Sequence, residues 1–266
     1  MREEFLNIWI HDDEWLEEQL GGEIASREKL GQWPLSYVEK VTLKDGARFV
    51  YKSQNAASSV EREFYSRVSG PYLLSPLYSG TYENCDVMIF PYLDYPAPGA
   101  VPEAGLERIV TKISRAIQSF SDMPVFLDIS SEEKLTQIID TVCVSFEGKD
   151  VGALKRWVAE KARACYDKQQ IGNVHGDLTA SNILINNGGP RYILDWQRPM
   201  RAPVMLDSAL ALRLAGYDAV KRYGAFGILA ALCHFIWYSY AYINFMPFEG
   251  IYNIAHKHLL EVTALI

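Results

Sequence analysis

The chain reads as an α+β protein in two parts, and three observations predict this. Residues 1–91 carry short apolar runs separated by turn residues, the pattern of a small antiparallel sheet. From Leu106 onward the apolar residues fall into helical step. Within that helical half, the stretch from Val174 to Trp196 reads as a β-hairpin with polar side chains gathered at its open end.

Composition bounds the function before any motif does. At 266 residues, with 49% hydrophobic and 22% charged residues, the chain can bury one large core or two lobes. A net charge of −7 argues against a nucleic-acid partner, because that affinity rests on Lys and Arg neutralising phosphates. Cys85, Cys143, Cys165 and Cys233 are far apart and form no CxxC pair, so free thiols are expected rather than disulfides or zinc. Met1-Arg2-Glu3-Glu4-Phe5 lacks the apolar run of a signal peptide, and a cytoplasmic protein is expected.

The elements follow in order. Phe5, Ile8, Trp9, Trp15, Leu16 and Leu20 recur at mixed three- and four-residue spacing among acids, which predicts a short amphipathic helix over residues 1–20, ended by Gly21-Gly22. Residues 24–30 and 36–43 read as strands, and Asp45-Gly46 turns the chain into a third strand over 48–52 that ends at Lys52. Val60, Phe64 and Val68 make one stripe of a helix over 58–69. Two further strands, 77–81 and 87–90, feed the Pro-rich run from Pro91 to Gly99, a natural boundary. Helices are expected over 106–120, 132–146 and 151–169, and Asp207 opens another. Residues 227–245 are apolar enough to span a membrane, yet His234, Ser239, Asn244 and several tyrosines favour a buried core helix, so no membrane partner is expected.

In the hairpin, Ile183-Leu184-Ile185 and Tyr192-Ile193-Leu194 flank Asn186-Asn187-Gly188-Gly189, residues that tolerate positive φ. Asn182 precedes the first strand and Asp195 follows the second, so both emerge at one end, with Asp177 in the loop that feeds them. An amide oxygen and two carboxylates converging there suit Mg²⁺ and a hydroxyl to be deprotonated.

The run His175-Gly176-Asp177-Leu178-Thr179-Ala180-Ser181-Asn182, followed by Leu194-Asp195-Trp196, resembles the aminoglycoside phosphotransferase and choline kinase family, small-molecule relatives of the protein kinases. The resemblance implies a protein-kinase-like fold with two lobes. These are an N-lobe over 1–91, a hinge over 92–99 and a mainly helical C-lobe over 100–266 carrying the catalytic hairpin. It also implies an ATP- or GTP-dependent O-phosphotransferase acting on a small hydroxylated substrate. Asp177 would accept the hydroxyl proton, and Asn182 and Asp195 would hold Mg²⁺. Lys52 would bind the α- and β-phosphates, held by Glu61, with Glu63 in reserve. Val50 would cover the adenine ring, Met88 or Phe90 would line its pocket, and the hinge, Tyr92 included, would hydrogen-bond the base through its backbone. The loop 31–36 is the candidate phosphate loop, His175 is structural, and Asp207 caps its helix and braces the catalytic loop.

Gly176 in place of the HRD arginine, and Trp196-Gln197 in place of Phe-Gly, separate the chain from protein kinases. A catalytically silent nucleotide-binding module is the alternative, and no key residue is missing to support it. After residue 222 only Glu249 and Glu261 are acidic, which weakens an aminoglycoside acceptor; choline-like amines, sugars, amino alcohols, homoserine-like acids and nucleosides stay open.

Overall fold

The computed structural model describes residues 2–4, 8–97, 102–167 and 169–266. Phe5 of the expected N-terminal helix and Pro98-Gly99 of the expected hinge lie outside them. The chain divides into two compact units, Met1–Ser69 with Leu73–Tyr95, and Gly70–Tyr72 with Pro96–Ile266.

The first unit opens with a correction. Residues 1–20 are not one helix: β1 (Arg2–Glu4) pairs antiparallel with β2 (Ile8–Ile10), and only then does α1 (Asp13–Leu20) begin. Ile8 and Ile10 alternate inward, 2% and 1% exposed, into a core shared with Val41, Tyr51 and Val87, and that burial overrides the mixed spacing. Asp12 caps α1 by accepting from the Trp15 amide, and Gly21 ends it at φ +68°.

A five-stranded antiparallel sheet follows, in the order β3-β4-β5-β7-β6. Its strands are β3 (Ile24–Trp33), β4 (Ser36–Leu43), β5 (Arg48–Asn55), β6 (Tyr78–Tyr82) and β7 (Cys85–Pro91). The candidate phosphate loop is corrected here as well. Gly31, Gln32 and Trp33 pair with Val38, Tyr37 and Ser36, so only Pro34-Leu35 connects the strands. The central strands are covered on both faces. Tyr51, Val87 and Ile89 point into the core with Ile8 and Ile10, while the alternate residues face α2 (Glu61–Arg67), whose Tyr65 ring meets Phe90 edge-on at 5.1 Å.

The second unit begins with α3 (Glu103–Ile117), β8 (Leu127–Asp128), α4 (Glu132–Val142) and α5 (Lys149–Glu160). Each helix stops short of the end its apolar period predicts, and α4 and α5 give way to 3₁₀ turns. Next come β9 (Ile171–Val174), the hairpin β10 (Ile183–Asn186) and β11 (Gly189–Ile193), and β12 (Met200–Pro203). Strand β12 pairs parallel with β8 and antiparallel with β9, which anchors both ends of the loop-and-hairpin insert in one small sheet. Four helices close the unit: α6 (Leu206–Leu214), α7 (Ala219–Tyr223), α8 (Ala225–Asn244) and α9 (Glu249–Thr263).

Helix α8 has the length and apolarity to cross a membrane, but its sequence is spent on packing. Leu229, Ala230, Leu232, Phe235 and Ile236 are at most 1% exposed and lie in one core with Leu135 and Ile139 of α4 and Leu259 of α9. Because Phe235 is fully buried there, Phe235→Ala is expected to destabilise the protein by about 3–5 kcal/mol in chemical denaturation. A change below about 1 kcal/mol would show that α8 does not centre this core.

Candidate functional site

Strand β9 ends at Val174 and delivers the loop His175 to Asn182 to the hairpin. The hairpin turns on Asn187 (φ +50°) and Gly188 (φ +70°), both left-handed as the primed turn requires. Ile183 pairs with Ile193, and the Leu194 amide donates to the Asn182 carbonyl at 2.8 Å. Asn182 and Asp195 therefore sit at the same end, as the sequence predicts. Asp177 joins them, because Asn182 Nδ2 donates to its carbonyl at 2.8 Å. Asp177, Asn182 and Asp195 are all half-buried. Asp195 holds φ +66°, a conformation that costs an L-residue of order 1–3 kcal/mol and concentrates at functional positions.

Two groups hold this loop. Asp207 accepts from the His175 amide at 3.0 Å and from the Gly176 amide at 3.2 Å. It braces the loop as expected but does not cap α6: the cap position is Met205, which makes no side-chain bond. Burial pushes the Asp207 carboxyl up, and nearby His175 and the two amides oppose the shift. The His175 ring bridges the other way. Its Nε2 lies 3.0 Å from the Leu194 carbonyl, and its Nδ1 is 3.2 Å from the Asp177 amide. Those contacts place an acceptor at Nε2 and a donor at Nδ1. Fully buried against Trp196, His175 is a strut between loop and hairpin.

Gly176 explains itself sterically. At φ +82°, a Cβ there would lie 2.6 Å from the Arg198 carbonyl oxygen and 2.9 Å from Met200 Sδ. No arginine fits the position that protein kinases fill with one.

The first unit carries the other predicted residues. Lys52 Nζ donates to Glu61 Oε2 at 2.5 Å, with side chains 8% and 2% exposed. Glu61, not Glu63, makes this pair, while Glu63 bonds Arg67 one turn on at the surface. Such a buried pair is costly to break, since removing either partner takes a charge-assisted bond from a charge held out of water. In the sheet Val50 pairs with Phe90 and Lys52 with Met88, so these four share the α2-facing side. Tyr92 continues past the strand. Its amide already donates to the Arg48 carbonyl at 2.9 Å, and its ring lies under the Arg48 and Lys40 cations.

Sequence reasoning missed Arg198, three residues beyond Asp195. Its Nη2 lies 3.2 Å from Asp177 Oδ2, and its guanidinium sits 3.9 Å above the Trp237 ring. The only signal in the sequence is its closeness to Asp195.

The donor set fits Mg²⁺ in company with phosphate. Among the described residues no group of three or more His, Cys, Asp or Glu is placed to hold a metal alone. Mg²⁺ asks less of a protein when substrate phosphates and water complete its octahedron, and one or two oxygen side chains then suffice. Asn182 Nδ2 is committed to the Asp177 carbonyl, which leaves Oδ1 as the atom that could meet a cation, with the Asp195 carboxylate as the second candidate donor.

The wall supplied by α8 and α9 sets a pH dependence. Burial pushes His234 down to about 4 and lowers His258, which Glu261 at 3.0 Å pulls the other way. Burial in the first unit likewise takes His11 down to about 4. These rings stay neutral in the fold where the unfolded chain takes up protons below about 6.5. Their contribution to stability is thus complete above pH 6.5 and lost as the pH falls toward 4. The melting temperature is expected to drop across that window, and His234→Gln to make the drop shallower; parallel curves would contradict the assignment.

Residues 133–241 match the model of a family described as the phosphotransferase enzyme family, a span from α4 into α8. No curated protein matches the sequence. Among solved structures the chain is similar to a thermostable mutant of aminoglycoside phosphotransferase APH(4)-Ia in a ternary complex with ADP and hygromycin B. The identity is 12% and the TM-score 0.67, over 95% of this chain and 97% of that one. Macrolide 2′-phosphotransferase type I is 17% identical, with a TM-score of 0.61 over 92% and 94% of the two chains. A choline/ethanolamine kinase family protein from Mesorhizobium loti is 12% identical, with a TM-score of 0.61 over 91% and 88%. The fold is therefore the protein-kinase-like fold that small-molecule phosphotransferases use, as the sequence resemblance implies.

Proposed function

We propose that this protein is an ATP- or GTP-dependent phosphotransferase that moves the γ-phosphate to a hydroxyl of a small molecule. The observation that carries the proposal is the grouping of Asp177, Asn182 and Asp195 at the open end of the hairpin. Asp177 takes the proton of the acceptor hydroxyl as its oxygen bonds to the γ-phosphorus. The bond to the β–γ bridging oxygen breaks, and the nucleoside diphosphate leaves. The loose transition state needs little covalent help, so positioning and charge neutralisation do most of the catalysis. Held by Asn182 and Asp195, Mg²⁺ would neutralise charge on the phosphate oxygens. Lys52, fixed by Glu61, would add a cation for the α- and β-phosphates.

Val50 and Phe90, on the side of the sheet that carries Lys52, would contact the base. Because Pro91 has no amide and that of Tyr92 is bonded to Arg48, a donor to the base would come from beyond Tyr92. Cys85, Cys143, Cys165 and Cys233 are free and buried, which supports a reducing, cytoplasmic setting as part of the proposal. No observation favours the catalytically silent alternative, since Lys52, Asp177, Asn182 and Asp195 are all present in the sequence. A protein kinase is disfavoured by the crowding around Gly176.

Transfer from γ-labelled ATP and GTP to a panel of sugars, amino alcohols, hydroxy acids, nucleosides and aminoglycosides tests the proposal. Asp177→Asn is expected to lower the rate by about 10²–10⁴ while nucleotide still binds. Lys52→Met is expected to weaken nucleotide binding. Transfer that survives unchanged in Asp177→Asn would refute the assignment of the base.

A further inference from the structure

We infer that the acceptor carries a carboxylate or phosphate close to the hydroxyl that is phosphorylated, and that Arg198 binds it. The inference rests on the phosphotransferase reading and narrows its substrate class.

Arg198 stands beside the base with its charge incompletely answered. Its side chain is 18% exposed, so the guanidinium has left most of its water. Five N–H groups then need acceptors. One reaches Asp177 Oδ2 at 3.2 Å, longer than the 2.7–2.9 Å usual for a charge-assisted bond. The Nε is buried with no partner at all. The Trp237 face, 3.9 Å away, holds the plane by cation–π attraction and supplies no acceptor. Among the described residues Asp177 is thus the one anion in contact with Arg198, and it is the group that takes the hydroxyl proton. Once Asp177 is protonated, Arg198 needs another anion.

An acceptor hydroxyl must come within about 2.6–3.2 Å of Asp177 to give up its proton. A substituent one to three bonds from that hydroxyl then lies within reach of the guanidinium. A carboxylate or phosphate there would meet the planar fork two N–H groups at a time. An ammonium group there would meet a cation.

The neighbouring acid does not reverse this preference. Glu261 already bonds Arg213 Nη2 at 2.8 Å and His258 Nδ1 at 3.0 Å. After residue 222 the only other acid is Glu249. A polycationic acceptor would therefore find its would-be partner taken.

The test uses the full chain and acceptor pairs that differ by one anion: glycerate against glycerol, gluconate against glucose, and homoserine against homoserinamide, with kanamycin as a polycation. Transfer from γ-labelled nucleotide gives kcat/KM, and a fluorescent ADP analogue reports nucleotide binding separately. The anionic member of at least one pair is expected to be preferred by about tenfold or more. Arg198→Gln should erase that preference, with the loss appearing in KM for the anionic member, and Arg198→Lys should restore part of it. Trp237→Leu, which leaves the guanidinium in place but unsupported, should reduce the preference without erasing it. This keeps the test open if Arg198→Gln fails to fold. Equal use of both members of every pair, no use of any anionic member, or preference for kanamycin would overturn the inference while nucleotide binding upheld the nucleotide site. Loss of nucleotide binding in the parent protein would overturn the phosphotransferase reading, and this inference with it.

Discussion

A buried carboxylate that receives two backbone amides holds the second unit's site in shape. Asp207, 1% exposed on the first turn of α6, accepts from His175 and Gly176. A carboxyl group out of water is tolerated only where hydrogen bonds replace its hydration. The fold therefore ties α6 to the loop, and removing either partner strands the other. From the fixed His175 backbone the ring reaches the Leu194 carbonyl, so α6, the loop and the second hairpin strand form one bonded chain. Asp177 and Asp195 take their positions from that chain.

Two backbone irregularities accompany this arrangement. The loop must turn sharply after His175 to pass under Arg198 and Met200, and only glycine fits that path at Gly176. Asp195 sits in the left-handed region two residues past the end of the hairpin strand at Ile193. Strain at that residue is maintained by the surrounding bonds, and it marks the position the sequence had already singled out as a metal ligand.

Much of this was legible in the sequence because local chemistry dictated it. Asn187-Gly188 and Asp45-Gly46 announce their turns, and the offset of Asp177, Asn182 and Asp195 follows once the hairpin is drawn. Lys52 and Glu61 could be paired because the resemblance implies a glutamate that holds the lysine and Glu61 shares a helix face with Tyr65 and Val68. What was not legible depends on tertiary contacts. Ile8 and Ile10 became strand because two alternate residues could enter a core with Tyr51, although Phe5, Ile8, Trp9, Trp15, Leu16 and Leu20 fall at near-helical spacing. The ladder of β3 ran through Gly31 because β4 offered partners as far as Ser36. Arg198 gave no signal, since an arginine after a loop looks like any solvated cation until Trp237, 39 residues away on α8, is seen beneath it.

The central claim is that the open end of the hairpin is a metal–nucleotide site. Titration of Mn²⁺ by electron paramagnetic resonance, with and without ADP, tests it most directly, since Mn²⁺ substitutes for Mg²⁺ and needs no acceptor. The account predicts that ADP tightens Mn²⁺ binding in the parent protein and that Asp195→Asn and Asn182→Ala each weaken this ternary binding by about tenfold or more, while ADP alone still binds. Mn²⁺ binding as tight in Asp195→Asn as in the parent would contradict the account.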